Sequence, residues 1–192
     1  MTKTKKELKE ASNRMTIHAF YEALSVRDIE TIQRLLSSDI EWWYHGPPGH
    51  QYLMQFLTGT SSNSCTGSRT SSASSSSSSD DHEDIKDSFS FVPNSITAFG
   101  SLVIVEGCDL SRLVSWIHVW TVSDDNGIVT QLREYFNTSL TIARFENNWN
   151  SNANKSSTSK SSRTSPLVNS VVWGSKLSSS IGKSVPGLLL AI

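Results

Sequence analysis

At 192 residues the chain holds one ordinary domain with something to spare, and its apolar fraction of 36% falls below the roughly 45–50% of globular domains. A net charge of −1 offers no field for nucleic acid or an anionic membrane, and two cysteines read as neither a disulfide framework nor a zinc site. No apolar run has the length of a membrane span or a signal-peptide core, so the expectation is a soluble, intracellular protein, cytoplasmic or nuclear and not secreted.

The chain opens with "KTKKELKE", where acidic residues interleave with basic ones; residues 1–12 read as a solvated basic extension. Apolar residues then recur at helical spacing. Met15, Ile17, Phe20, Tyr21 and Leu24 make one stripe, and Ile29, Ile32, Leu35 and Leu36 a second. Ser12 or Asn13 is placed to cap the first helix and Asp28 the second. Ile40 to Tyr44 favours a strand, which Gly46-Pro47-Pro48-Gly49 must end, because each proline removes a donor and fixes φ. His50 to Leu57 returns to helical spacing, and Gly59 is a natural stop.

Two serine-rich tracts, Thr60–Ser79 and Ser151–Ser165, interrupt this pattern. Such composition buries too little apolar surface to offset its ordering entropy, so both read as insertions, at about 60–87 and 151–165, within a single domain spanning 13–192. Asp80, Asp81, His82, Glu83 and Asp84 continue the first tract, but consecutive residues of a loop do not converge on one ion, and no metal is expected. From Phe89 onward β-branched and aromatic residues dominate, and Asp125-Asn126-Gly127 reads as a hairpin turn. Helices followed by a run of antiparallel strands make an α+β fold.

Alternation assigns faces to the late strands. One face of "RLVSWIHVWTV" carries Trp116, His118 and Trp120; one face of "TQLREYFNTSL" carries Arg133, Tyr135 and Asn137. Paired in a hairpin, the two sets would wall a cavity with aromatic rings and a few polar groups, the usual make-up of a small-ligand site. A slip of one residue would reverse the second set. In such a cavity His118 could act as a general base with Tyr135 or Arg133. The plainer reading packs His118 and the tryptophans as core. Glu106, Arg133 and Glu134 are the charged residues able to partner the imidazole. In "EWWYHGPPG" one of the pairs Trp42/Tyr44 and Trp43/His45 points inward, with pocket lining a secondary task after shaping the bend, and catalysis by His45 a remote one. Gly182-Lys183-Ser184 copies the tail of a phosphate-binding loop, but Leu177 stands where that loop needs glycine. No nucleotide or other cofactor is expected.

The segments "FYEALSVRDIETIQRLLSSDIEWWYHGPPGHQYLMQFLTG", "VPNSITAFGSLVIVEG", "REYFNTSLT" and "KSVPGLLLAI" together resemble the plant wound-induced protein family, also described as senescence-associated, within the nuclear transport factor 2-like superfamily. The resemblance implies a cone-shaped α+β fold, with helices packed on a curved, mostly antiparallel sheet around a pocket. It also implies expression on wounding, other stresses and leaf ageing, and brings no established reaction. Catalytic relatives usually place an Asp or an Asp/His pair in the pocket, and relatives often have Asp where this chain has Asn137. An amide cannot accept a proton in that way. The leading expectation is therefore a stress-responsive binder of a small apolar ligand or a protein partner, using Trp42, Tyr44, Trp116, His118, Trp120, Arg133, Tyr135 and Asn137. The alternatives are an isomerase, cyclase or hydrolase centred on His118, and a homodimer formed through the sheet.

Overall fold

The structure, a computed structural model, describes residues 2–59, 89–144, 170–176 and 185–192. The serine-rich tracts, the acidic run 80–87 and Gly182-Lys183-Ser184 lie outside the described residues. Two compact units are formed, Met1–Phe136 and Asn137–Ile192. In the first, helices α1 (Thr2–Val26), α2 (Ile29–Leu35) and α3 (Tyr52–Thr58) accompany strands β1 (Leu36–His45), β2 (Pro93–Phe99), β3 (Leu102–Asp109), β4 (Val114–Val122) and β5 (Val129–Phe136). The sheet order is β1-β5-β4-β3-β2, antiparallel throughout except for the parallel β1–β5 pair. In the second unit β6 (Ser139–Arg144) lies between antiparallel β7 (Ser170–Gly174) and parallel β8 (Gly187–Ala191). The fold class is α+β, as the order of elements implies.

The first helix starts ten residues before the expected cap. Lysine and glutamate are strong helix formers even without an apolar stripe, and Lys6 and Glu10 stand one turn apart at 3.9 Å. Asn13 is no cap: it is buried within α1, and its amide donates to the Gly100 carbonyl at 2.8 Å. Glu10 accepts from the Gly100 N–H at 2.8 Å, and Lys9 pairs with Asp124. The charged start of α1 thus grips the tips of two hairpins, β2–β3 and β4–β5.

Other expectations hold at the level of single residues. The Asp28 carboxylate accepts from the Thr31 N–H at 3.0 Å at the start of α2. Gly59 ends α3 at φ +67°, and Gly127 turns β4 into β5 at φ +69°, with Asn126 Oδ1 accepting from the Ile128 N–H. Leu36 opens β1 instead of closing α2. Two strand-rich stretches each divide, at Gly100 (φ +61°) and at Asn137 (φ +47°). One core sits between the helices and the sheet: Ile17, Phe20 and Leu24 from α1 meet Trp116 and Trp120 from β4, with Leu132 and Phe136 from β5. From Val114 to Trp120, every residue of β4 is buried. Among the described residues no helix is long and apolar enough to cross a membrane.

Candidate functional site

The β4–β5 register decides what stands beside the imidazole. Trp116 pairs with Phe136, His118 with Glu134 and Trp120 with Leu132. The expected grouping with Arg133, Tyr135 and Asn137 is therefore corrected by one residue, and the opposite face of β5 supplies the neighbours. Arg133 pairs with Val119 and with Trp43, on the other side of the sheet, where Tyr135 stacks on His45 at 4.8 Å. Asn137 lies past the end of β5. In β1 the inward pair is Trp42 and Tyr44, which register with Leu132 and Glu134.

The result is a buried chain of polar groups inside an aromatic shell. Glu134 accepts the Trp42 Nε1–H on Oε2 at 3.1 Å and lies 3.2 Å from His118 Nε2 through Oε1. With the Nε2–H donated to this carboxylate, Nδ1 is left as an acceptor for the Tyr21 hydroxyl, 2.6 Å away. The Tyr21 oxygen accepts in turn from Trp120 Nε1–H at 3.2 Å. Every donor and acceptor of the imidazole, the phenol and the two indoles concerned is then matched, which is how polar groups become tolerable in a core. His118 and Glu134 are fully buried, and Tyr21 nearly so. Burial pushes the Tyr21 phenol well above its ordinary pKa; the Trp120 hydrogen bond opposes this, and the Glu134 charge adds to it. Tyr21 stays a protonated donor.

A tyrosine, a histidine and a carboxylate joined in sequence have the connectivity of an acid–base triad. Here, though, both imidazole nitrogens are occupied and no solvent reaches them. The rings expected to wall a cavity are packed against α1 instead: Tyr21 stacks on Trp116 at 5.8 Å and Phe20 meets Trp120 at 4.8 Å. Tyr21 and Phe91, which complete the cluster, were legible in the sequence only as apolar positions. Glu134 was one of three charged candidates that spacing could not separate.

Open space lies elsewhere. A groove of about 510 Å³ runs between α1 and residues 91–96, with Arg14, His18 and Tyr21 on the helix side and Phe91, Asn94 and Ile96 opposite. A smaller cavity of about 110 Å³ lies by Leu24, Arg27, Phe56 and Phe89. Neither is lined by Trp116, His118 or Trp120. Among the described residues no group of three His, Cys, Asp or Glu is arranged to hold a metal ion.

A family model described as "Wound-induced protein WI12" matches residues 79–192. The chain is 48% identical over 105 residues to wound-induced protein 1 of Solanum tuberosum, an alignment that covers 55% of this chain and 88% of that relative. It is 50% identical over 106 residues to senescence associated gene 20 of Arabidopsis thaliana, with the same shares covered. Among solved structures it is similar to an NTF2-like protein from Cytophaga hutchinsonii, over 65% of this chain and 88% of that one, at 12% identity and a TM-score of 0.40. A likeness of that degree carries no functional argument.

Proposed function

Since the chain belongs to the wound-induced protein WI12 family and is a stress-responsive protein, we propose that it acts as a binder of a small, mainly apolar ligand in the groove between α1 and residues 91–96. The observation that carries this reading is the groove itself. Its volume of about 510 Å³ falls within the roughly 300–1,000 Å³ of small-molecule sites. Buried Tyr21 and Phe91 line it, and Met15 and Val92 flank it while 71% and 61% exposed, an apolar surface that a ligand would cover.

The binding test uses a neutral apolar fluorophore, diphenylhexatriene, titrated into the full chain, together with extraction of small molecules that co-purify with plant-expressed protein. The expected result is one saturable site with a Kd of about micromolar. Met15→Glu combined with Val92→Glu should weaken it at least about tenfold by placing charges against the apolar body. Both side chains are exposed, so the fold should survive. Unchanged binding in the double variant would remove the groove from consideration.

A second reading draws on the Tyr21–His118–Glu134 chain. Tyr21 lines the groove while its hydroxyl joins the imidazole, so an isomerase, cyclase or hydrolase would work by moving a proton through Tyr21. It would have to disengage a hydroxyl that already holds two partners. The binder reading needs no such rearrangement and is preferred. Turnover of a groove ligand that disappears in Tyr21→Phe, with binding intact, would reverse the preference.

A further inference from the structure

Resting on the groove reading, we infer that the ligand is a monoanionic amphipath, a carboxylate with an apolar tail, whose head group is held by Arg14. The charges around the groove are few and can all be named. On α1, Arg14, His18 and Glu22 follow one another at four-residue spacing and therefore share a face. Glu22, two turns beyond Arg14 and toward the Phe91 end, places its Oε2 3.4 Å from His18 Nδ1. Glu10, one turn before Arg14, is taken by Lys6 and by the Gly100 N–H. The opposite wall, Phe91 to Ile96, contains no ionisable side chain. Among the described residues Arg14 has neither an ion-pair nor a hydrogen-bond partner. Arg14 is thus the unpartnered guanidinium of the groove, with the Glu22 carboxylate two turns away, and its planar fork matches a carboxylate with two parallel hydrogen bonds.

The groove is also polarised along its length. Glu10 and Asn13 both bond to Gly100, just past the end of β2, so α1 and β2 run in opposite senses. Arg14 accordingly lies toward the Ile96 end, and Tyr21 and Ser25 toward the Phe91 end, where Leu24 and Ser25 share the smaller cavity with Phe91. Asn94 and Ser95 offer neutral donors between the two. A head group at Arg14 and a hydrocarbon body running to Tyr21 and Phe91 fit this gradient. An apolar molecule without a charge leaves Arg14 unused, and a cationic head placed at that end meets it head-on.

Calorimetric titration of the full chain with dodecanoate, dodecanol and dodecylammonium separates these cases. The carboxylate is expected to bind about tenfold more tightly than the alcohol, and the ammonium ion most weakly. Arg14→Gln should bring dodecanoate down to the level of dodecanol and leave dodecanol unchanged. Equal affinities for carboxylate and alcohol, or a preference that survives Arg14→Gln, would overturn the assignment of the anion while the groove reading stands. Binding of none of the three would overturn both.

Discussion

Tyr21 occupies two environments at once: its ring borders the groove, and its hydroxyl closes the buried polar chain. Tyr21→Phe keeps the ring and strands two partners, His118 Nδ1 and Trp120 Nε1–H, in a site without water. Leaving buried groups unsatisfied costs about 1–3 kcal/mol, so chemical denaturation should show a loss in that range. A loss well under 1 kcal/mol would mean that the chain of hydrogen bonds adds little. At this scale the sequence was partly legible. The alternation of Trp116, His118 and Trp120 on one face follows from strand geometry alone, as does the rule that only one of the pairs Trp42/Tyr44 and Trp43/His45 turns inward; the structure selects the first. The carboxylate partner did not, because choosing Glu134 over Arg133 requires the register, and the register is fixed by contacts between strands that no local pattern encodes.

Among the elements, β3 depends on a glycine for reasons of space. A Cβ at Gly107 would run into the Trp116 indole and stand 2.7 Å from the Val92 carbonyl oxygen. Trp116 pairs with Gly107 across the β3–β4 ladder and is fully buried, so it has nowhere to move. Gly107→Ala should therefore destabilise the fold by about 1–3 kcal/mol, the usual penalty for overpacking, despite removing a residue of poor strand propensity. Thermal unfolding would check the sign: a rise in Tm would show that the indole has slack. Turn chemistry was the most legible feature here, as at Asp28, Gly59 and Gly127, because caps and positive φ are set by one or two residues. The opening of α1 was hidden for the opposite reason. Its residues carry no apolar stripe, and what holds it in place, the contacts of Lys9, Glu10 and Asn13 with two hairpin tips, joins positions about ninety or more apart. The parallel pairing of β1 with β5 is likewise a product of long-range contacts, invisible to periodicity.

Across the whole molecule, folding withdraws several phenols from water. Burial raises the pKa of Tyr21, Tyr44 and Tyr135, with Arg133 acting in the opposite direction on Tyr135. An unfolded chain releases these protons at about pH 10, while the folded one retains them. Above that pH the native state binds more protons than the unfolded state, so stability must fall as pH rises. Below about pH 9 the contribution is constant. Urea midpoints measured from pH 8 to 11 should fall at the alkaline end, and less steeply in Tyr21→Phe; a flat profile would contradict the burial of these rings. At the β1 edge of the five-stranded sheet Trp43 is 56% exposed.

The bond from Trp120 to the Tyr21 oxygen, 3.2 Å long, has a practical consequence. Indole emission is sensitive to the polarity and hydrogen bonding of its surroundings, and this indole is tied to the very ring that a guest in the groove would press upon. Occupancy of the proposed site would then register in the emission of this indole, followed at its natural wavelength without any added dye.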